Sequence, residues 1–297
     1  MISVVIPFYN EKENLSILIE KLVNQLDKIK QKYEIVLVDD GSSDIYQIPK
    51  IKNQNDRIKL LIHKKRKGKG EALKTGVKNA LGDVIVFMDG DLQDDPEDLP
   101  KFLRKINEGY DFVNGKRMRR HDNFLVKLYS KIAGFFLKIF LHSPFSDINC
   151  GFKVFKKEVL EGFNFYGNNF RFFPLYVFYQ GFKVTEVTVK NNPRKFGRSK
   201  FGKAKVFIGI LDLLTAYFLF KFSERPLHFF GMIGGIISFF GFLILGYLGY
   251  ERIFHNMLLY RRPILWLGIL MALVGLQILS IGIIGELIVY LNKKKND

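Results

Sequence analysis

The chain has very little cysteine and tryptophan: each occurs once in 297 residues, as Cys150 and Trp266. A single cysteine cannot form an intrachain disulfide and cannot by itself make a thiolate metal cluster. The sequence therefore excludes a disulfide-stapled secreted scaffold. With 48% hydrophobic and 25% charged residues, it has the composition of a globular protein rather than of a disordered or collagen-like one.

Acidic residues are also in the minority. The chain has 46 Lys and Arg against 29 Asp and Glu, which gives a formal net charge of +17. Residues 226–297 hold six of these basic residues and three of the acidic ones, so the surplus lies in the first 225 residues. Such a surplus indicates an anionic partner, which could be nucleic acid, a phosphorylated ligand or an acidic membrane surface.

Charged side chains are missing from two long stretches near the C-terminus. Leu227–Tyr250 and Ile264–Gly285 contain no Asp, Glu, Lys or Arg, and each exceeds the roughly 20 residues that a helix needs to cross a bilayer. We predict two transmembrane helices, at about residues 227–250 and 264–290; the alternative is a pair of buried core helices. The basic residues that flank the stretches favour a cell-membrane protein with the N-terminal portion and both termini in the cytoplasm. The N-terminus does not have the pattern of a signal peptide.

The first 205 residues alternate short β-branched runs with helical patterns. Strands are predicted at Ile2–Ile6, Ile35–Val38, Ile58–Ile62 and Val84–Met88. This order is typical of an α/β fold with a mostly parallel, Rossmann-like sheet covered on both faces. In such sheets ligands bind beyond the carboxyl ends of the strands, so the residues that follow each strand are candidates for the chemistry.

Acidic residues follow three of these strands, within Pro7–Glu11, Asp39–Asp44 and Asp89–Gln93. Carboxylates gathered at one edge repel each other unless a cation compensates. An isolated Asp-x-Asp is more often a solvated turn, but here three strand ends coincide. We therefore predict a Mg²⁺ or Mn²⁺ site at Asp89, Asp91 and Gln93, completed by a nucleotide diphosphate. Asp95 is expected to cap the next helix, with Pro96 at its first position.

Six segments then occur in a fixed order: Pro7–Glu11, Val38–Asp44, Gly68–Leu73, Asp89–Gln93, Asp147–Lys153 and Arg194–Lys200. They resemble the inverting GT-A glycosyltransferases, and most closely the polyprenyl-phosphate group, which includes the dolichol-phosphate mannose synthases and the bactoprenol glucosyltransferases. With the two C-terminal stretches, the resemblance covers nearly the whole chain. It implies a GT-A catalytic domain with interfacial amphipathic helices and two C-terminal transmembrane helices.

The resemblance also implies site residues. Those for the nucleotide-sugar donor are Pro7, Tyr9, Asn10, Glu11, Asp39, Asp40, Gly41, Lys69 and Asp89. Those for catalysis are Asp89, Asp91 and Asp147. Those for the acceptor phosphate are Arg117, Ser130, Lys131, Arg194, Arg198 and Lys200. The family often has arginine where this chain has Lys131, and lysine keeps the charge but loses the bidentate phosphate geometry.

The basic run Lys64–Lys69 fits neither of two common motifs. It is not a Walker A loop, because His63 stands where glycine is needed and Gly70 where Ser or Thr is needed. It lacks the interleaved aromatic residues of a nucleic-acid surface. Two interpretations stay open: a solvated turn in which Lys69 alone faces the donor, or a wider electrostatic funnel for a nucleotide sugar.

Three further segments are expected near the membrane. Residues 122–141 have the pattern of an in-plane helix at the lipid headgroups, the alternative being a core helix with solvated lysines. Residues 206–225 form a juxtamembrane helix too short to span. The basic residues between Arg194 and Lys205 could close over phosphates or attract anionic lipid. The expected domains are thus a cytosolic catalytic domain at 1–205, the helix at 206–225 and a two-helix transmembrane domain at 226–297.

These observations lead to one functional expectation. The chain transfers a hexose, with UDP-glucose the favoured donor, to undecaprenyl phosphate, with inversion and a divalent metal, for cell-surface glycan modification. A lipid phosphate is already anionic near neutral pH, since a phosphate monoester has a second pKa of about 6, and needs no general base. No nucleic-acid partner is expected, and a homo-oligomer is compatible with the sequence. The alternatives are a processive or hydroxyl-directed membrane glycosyltransferase, whose Gln-x-x-Arg-Trp signature is absent, a soluble nucleic-acid-binding enzyme, and a non-catalytic membrane adaptor.

Overall fold

Four parallel strands form one half of a seven-stranded sheet in the computed structural model, which describes residues 1–43, 56–118, 134–165, 167–193, 205–259 and 262–296. They are β1 (Ile2–Phe8), β2 (Tyr33–Asp39), β3 (Ile58–Ile62) and β4 (Val84–Phe87). Every residue of β1 and β2 is buried, as expected of parallel strands covered on both faces. All four strands were predicted from the sequence.

Three more strands complete the sheet: β5 (Phe112–Arg117), β6 (Lys153–Lys156) and β7 (Val184–Val189). The strand order is β3-β2-β1-β4-β6-β5-β7. Strand β6 runs antiparallel to both of its neighbours, whereas β5 and β7 pair in parallel. The expected α/β class with a mostly parallel sheet is confirmed, although the sequence pattern did not predict these three strands.

Helices cover both faces of the sheet. They are α1 (Lys12–Ile29), α2 (Lys69–Lys78), α3 (Leu99–Asn107) and α4 (Phe173–Tyr179), with short 3₁₀ turns at Pro96–Asp98, Lys157–Leu160 and Asn169–Phe172. Asp95 caps the first of these turns by accepting from the Glu97 amide at 3.2 Å, so the predicted cap is confirmed.

The two faces have different cores. On one face, leucines of α1 and Phe102 of α3 pack with Val4 and Ile6 of β1. On the other, α2 approaches Val5 so closely at Gly76 that a Cβ there would overlap it. A cluster of phenylalanines joins β4, β5, β6 and α4, with ring centroids 4.9–5.5 Å apart for three of its pairs. Each fully buried side chain of this size contributes roughly 1.5–3 kcal/mol to folding.

Residues 134–140 are helical, and Phe135, Ile139 and Phe140 are exposed on them. They are the last part of the segment predicted to lie in the membrane plane. Residues 122–133, the greater part of that segment, lie outside the described residues.

The chain divides into two units, Met1–Leu213 and Leu214–Asp297, with the boundary inside α5 (Lys205–Lys221). The second unit contains two long helices, α6 (Pro226–His255) and α7 (Pro263–Asn296). They pack as an antiparallel pair with backbones in close approach: a Cβ added at Gly234 would lie 2.6 Å from the Gly275 carbonyl oxygen. At the end of the pair, the Leu227 amide donates to the Glu286 carboxylate at 3.2 Å.

Both long helices are apolar enough to cross a membrane. Their most hydrophobic windows have mean hydropathies of 2.1 and 2.4, and only 17% and 22% of those windows are buried. Large apolar side chains such as Phe239, Trp266 and Leu270 are more than half exposed. A core helix of a soluble protein would instead be mostly covered, so α6 and α7 are the two candidate membrane spans that the sequence predicts.

Candidate active site at the acidic edge of the sheet

The carboxyl ends of β1, β2 and β4 bring the three acidic segments to one edge, because these strands are parallel neighbours. The first two segments are joined directly. The Asn10 amide donates to Ser42 Oγ at 2.9 Å, and the Ser43 amide donates to Asn10 Oδ1 at 3.0 Å. Glu11 accepts from the Asn14 side chain at 2.7 Å. Asn10 thus braces the β1 and β2 loops against each other.

Asp39 ends β2 and is fully buried. Its Oδ1 accepts from the amide and the hydroxyl of Ser42, at 2.9 and 2.5 Å. Its Oδ2 has no hydrogen-bond partner among the described residues. Since an unpaired buried acceptor is costly, this oxygen is well suited to accept an N–H from a ligand.

Asp40 is engaged by the protein itself. It accepts from the amides of Lys67 and Gly68, both at 2.8 Å, and its Oδ1 lies 3.0 Å from His63 Nδ1. The other nitrogen of His63 lies 2.9 Å from Thr75 Oγ1. Asp40 was predicted to bind the nucleotide-sugar donor. In the structure it anchors the basic loop, residues 64–68, which precedes α2.

The same loop packs on Gly41, which has φ +75°. A Cβ at Gly41 would lie 2.7 Å from the Arg66 amide nitrogen, so only glycine permits this approach. Arg66 in turn stacks on Tyr9, with its guanidinium carbon 4.3 Å from the ring centroid. The basic loop is thus held over the β1 segment.

Asp89 follows β4 and forms an ion pair with Lys69. Burial acts to raise the pKa of Asp89, but the charge and hydrogen bond of Lys69, with the charges of Lys153 and Arg117, lower it below the ordinary value. The carboxyl is therefore ionised. On its other side lies the backbone of Gly151, where an added Cβ would lie 2.7 Å from Asp89 Cγ.

The acidic segment continues through Asp91 to Asp94, a residue that the sequence analysis did not assign. Asp91 accepts from the Gln93 amide at 3.2 Å. Burial, together with the charges of Asp89 and Asp91, raises the pKa of Asp94 to about 7. The charges of Asp89 and Asp91 thus disfavour ionisation of Asp94, the mutual repulsion that the sequence predicts. Asp94 could have been found from the sequence, because the run Asp94-Asp95 directly follows Gln93.

The side-chain oxygens at this edge fit a hard divalent cation that takes its remaining ligands from the substrate. Within the described ranges, no three His, Cys, Asp or Glu side chains are grouped so as to hold a metal by themselves. Mg²⁺ is usually bound by one or two carboxylates together with substrate phosphates. Asp89, Asp91 and Gln93 match that requirement, and they would hold the ion jointly with a diphosphate.

Arg117 and Asp147, predicted for the acceptor and for catalysis, are paired with each other. Arg117 Nε and one terminal nitrogen donate to the two carboxylate oxygens of Asp147 at 2.8 and 3.0 Å. Burial acts to lower the pKa of Arg117, but Asp147 more than offsets it, so the pKa is raised. The guanidinium is held rigidly, and three of its five N–H groups are left outside this pair.

The remaining predicted acceptor residues, Ser130, Lys131, Arg194, Arg198 and Lys200, lie outside the described residues. The chain just before residue 194 is nevertheless placed at the acidic edge. Asp94 forms a β-bridge with Asn191, and the Asn192 amide donates to the Gln93 carbonyl at 2.9 Å.

Lys153 is a second residue that the sequence analysis did not assign a role. It is 5% exposed, and its ammonium donates to the carbonyls of Ile148, at 3.2 Å, and of Cys150. Burial lowers its pKa to about 8. The charge of this buried lysine, together with those of Lys69 and Arg117, lowers the pKa of Asp89.

Residues 3–164 match the model of glycosyl transferase family 2. The chain belongs to this family. It is a glycosyltransferase, as the six segments predicted.

Two curated relatives align with almost the whole chain. The dodecaprenyl-phosphate galacturonate synthase of Rhizobium johnstonii is 30% identical over 97% of this chain and 87% of the relative. The undecaprenyl-phosphate 4-deoxy-4-formamido-L-arabinose transferase of Photorhabdus laumondii is 29% identical over 100% of this chain and 90% of the relative. Both are named for polyprenyl phosphates, so the resemblance to that group is confirmed. Neither is named for glucose.

A solved structure shares the fold. Glucosyl-3-phosphoglycerate synthase from Mycobacterium tuberculosis, in complex with Mn²⁺, UDP-glucose and phosphoglyceric acid, has a TM-score of 0.55 and 20% identity. The match covers 73% of this chain and 79% of the synthase. At this identity the likeness establishes a GT-A-like fold.

Proposed function

We propose that this glycosyltransferase moves a sugar from a nucleotide sugar to a membrane polyprenyl phosphate, with inversion at the anomeric carbon. The observation that carries the proposal is the placement of Arg117 near the acidic edge: it donates to Asp147, and Gly151, four residues further along the same loop, abuts the Asp89 carboxylate. The acceptor phosphate and the leaving diphosphate are both anionic, so positive charge is needed where they meet. Arg117 and Lys69 provide it at this edge. The two curated relatives, named for polyprenyl phosphates, support the lipid acceptor.

The donor side is formed by the β1 and β2 loops. The free Oδ2 of Asp39 accepts an N–H from the nucleotide base, next to Pro7 and Tyr9, while Asn10 and Glu11 hold the loop. Asp40 and Gly41 act through the basic loop that they position. Lys69 provides a cation for the diphosphate. UDP-glucose is the favoured donor, and galacturonate and formamido-arabinose donors are compared with it in the test below.

The leaving group is stabilised at the edge of β4. Asp89, Asp91 and Gln93 would hold a Mg²⁺ or Mn²⁺ ion, which would supply positive charge for the departing diphosphate. Lys69 provides a second positive charge beside Asp89. The Mn²⁺ in the structure of the Mycobacterium tuberculosis synthase supports a divalent ion in this fold.

The acceptor is held by Arg117, with Ser130, Lys131, Arg194, Arg198 and Lys200 proposed as further contacts. A polyprenyl phosphate is already charged, so it attacks without a dedicated base, and the protein's task is orientation. Asp147 fixes the Arg117 guanidinium for this purpose. Undecaprenyl phosphate is the proposed carrier.

The proposed location is the cell membrane, with α6 and α7 as two spans and the catalytic portion and both termini in the cytoplasm. The proposed domains are a GT-A domain at 1–205, a juxtamembrane helix at 206–225 and the two-helix domain at 226–297. In this arrangement the product, a polyprenyl-phosphate sugar, serves cell-surface glycan modification.

The test uses the full chain in detergent with undecaprenyl phosphate and labelled UDP-glucose, UDP-galacturonate or UDP-4-deoxy-4-formamido-L-arabinose. We expect a lipid-extractable sugar product from at least one donor, lost with a chelator and restored by Mg²⁺ or Mn²⁺, with the anomeric configuration inverted by NMR. Asp91→Asn lowers the rate at least about 100-fold, because it removes a charged ligand, whereas exposed Asp83→Asn is the matched control. No product from any donor would favour the adaptor instead, whereas full activity in Asp91→Asn would contradict the proposed role of Asp91 in holding the metal.

A further inference from the structure

Three polar side chains form a row across neighbouring strands beside the site. Lys153 is on β6, Asn114 is on β5 and Glu186 is on β7. Asn114 is opposite Lys153 in the antiparallel pair and opposite Glu186 in the parallel pair. Because residues directly opposite each other project from the same face of a sheet, the three side chains lie side by side.

All three hydrogen-bond to one loop, residues 146–150. Lys153 donates to the carbonyls of Ile148 and Cys150. Asn114 donates to the Asp147 carbonyl at 2.8 Å. Glu186 accepts from the Asp147 amide at 3.2 Å and from the Ser146 hydroxyl at 2.6 Å, and Asn114 donates to Glu186 at 3.3 Å.

This loop connects the two halves of the site. At one end, the Asp147 side chain holds Arg117 through two hydrogen bonds. At the other, the Gly151 backbone abuts the Asp89 carboxylate. A shift of the loop therefore moves Arg117, proposed to bind the acceptor phosphate, and also changes the surroundings of Asp89, proposed to bind the nucleotide sugar.

The row is costly to bury, which requires an explanation. Lys153 and Asn114 are at most 5% exposed, and Asn114 Oδ1 has no partner among the described residues. Apolar side chains of similar volume in a sheet are often at least as stabilising as buried polar groups. Stability alone does not explain why three polar residues occupy these positions. Their shared hydrogen bonds to one loop explain it, because apolar side chains could not hold the loop in this way.

We propose that Lys153, Asn114 and Glu186 are positioning residues that hold loop 146–150 so that Arg117 and Asp89 keep one mutual geometry. The inference rests on the proposed function in assigning Arg117 to the acceptor and Asp89 to the donor. None of the three has to touch a substrate, since they act through Asp147 and Gly151.

The kinetic test compares Lys153→Met and Glu186→Ala with Lys21→Met and Glu20→Ala, controls that remove the same side chains from exposed positions on α1. We expect Lys153→Met and Glu186→Ala to lower kcat and raise the KM for polyprenyl phosphate, each by about tenfold, while UDP affinity in calorimetry changes less than about twofold. In an Asp147→Asn background, Glu186→Ala adds less than about twofold, because the two share one network. Equal effects on UDP affinity, or full additivity with Asp147→Asn, would overturn the proposal.

A second measurement does not depend on activity. Hydrogen exchange with mass spectrometry is expected to show amides 146–151 exchanging at least about tenfold faster in Lys153→Met and Glu186→Ala than in wild type, with the controls unchanged and the thermal transition still cooperative. Glu186 is only half-buried, so Glu186→Ala is expected to fold. This variant therefore tests the proposal even if Lys153→Met does not fold. An active wild type with unchanged exchange and kinetics in both variants contradicts the row's role and leaves the function standing. An inactive wild type contradicts the function, and the exchange data then decide the row by themselves.

Discussion

At the residue scale, Asp39 and Asp40 show how adjacent carboxylates on one strand end acquire different tasks. Both are buried, but Asp40 accepts from two loop amides, whereas Asp39 keeps one oxygen without a partner among the described residues. Strand alternation sends successive side chains in opposite directions, so the two carboxylates meet different surroundings. Of the two, Asp39 is the one that has an oxygen available for a ligand within the described part of the chain.

Replacing Asp39 with Asn is therefore expected to weaken nucleotide binding. A hydrogen bond to a charged group contributes about 1.5–3 kcal/mol, which corresponds to roughly 10–100-fold in affinity for UDP. Calorimetry with UDP measures the change, and Asp83→Asn, at an exposed carboxylate, provides the control. If Asp39→Asn binds UDP as tightly as wild type, the free oxygen of Asp39 does not contact the base.

The sequence could predict the residues whose significance is local. Asp89, Asp91 and Gln93 follow a recognisable strand, so their common edge was deducible. Lys153 and Glu186 were missed because their importance arises from the register of β6, β5 and β7, which is set by long-range pairing. Between Phe152 and Val154, a lysine has no local feature that distinguishes it from a solvated one.

At the element scale, β1 to β4 were predictable and β5 to β7 were not. The first four are mostly continuous apolar runs, which parallel strands buried on both faces require. Strand β5 turns polar after Val113, and β6 has only four residues. In β7 the valines at 184, 187 and 189 do not keep a two-residue period, so this strand has no clear alternation either.

Asp111 ties the three late strands together. It precedes β5, accepts from Lys156 Nζ at the end of β6 at 2.7 Å, and accepts from the Lys183 amide just before β7 at 2.9 Å. Partial burial acts to raise its pKa, but these donors lower it below the ordinary value. Its carboxylate therefore stabilises the fold fully above the unfolded-state pKa of about 3.9 and loses that effect as the pH falls through the folded-state pKa.

We expect Asp111→Asn to lower stability by about 1–2 kcal/mol at pH 7, with a deficit that shrinks as the pH falls below about 4. Thermal unfolding followed by circular dichroism in detergent, from pH 7 to pH 3, measures both effects. Asp83→Asn is expected to remain close to wild type throughout. A deficit that does not change with pH would show that the ionised state of Asp111 is irrelevant.

The pairing of α6 with α7 depends on glycines at the contact between them. A Cβ at Gly275 would lie 2.6 Å from the Gly234 carbonyl oxygen, whereas a Cβ at Gly235 meets nothing within 4 Å. Gly275→Ala is therefore expected to cost about 1–3 kcal/mol through overpacking, seen as a lower thermal midpoint in detergent. Gly235→Ala, the same substitution on the open face, should leave the midpoint unchanged or raise it. Equal midpoints for the two variants would contradict the close approach of the two helices at Gly275.

At the scale of the whole molecule, charge and hydropathy are segregated along the chain. The basic surplus lies in the first 225 residues, while α6 and α7 expose apolar side chains over most of their surfaces. Exposed apolar area of this extent is unfavourable in water, whereas in a bilayer it faces lipid tails. The anionic partner that the basic surplus indicates is, under the proposed function, a lipid phosphate and a nucleotide diphosphate.

The proposed topology predicts which parts of the chain face each side of the membrane. With both termini in the cytoplasm, the connection between α6 and α7 faces outward, so a membrane-impermeant maleimide should label Asn256→Cys in intact cells and Lys32→Cys only after lysis. The native thiol does not interfere, because Cys150 is buried and burial raises its pKa to about 12, leaving almost no reactive thiolate. Wild type is the control and should stay unlabelled in both conditions. Labelling of Lys32→Cys in intact cells would place the acidic edge outside the cytoplasm, away from any cytosolic pool of nucleotide sugar.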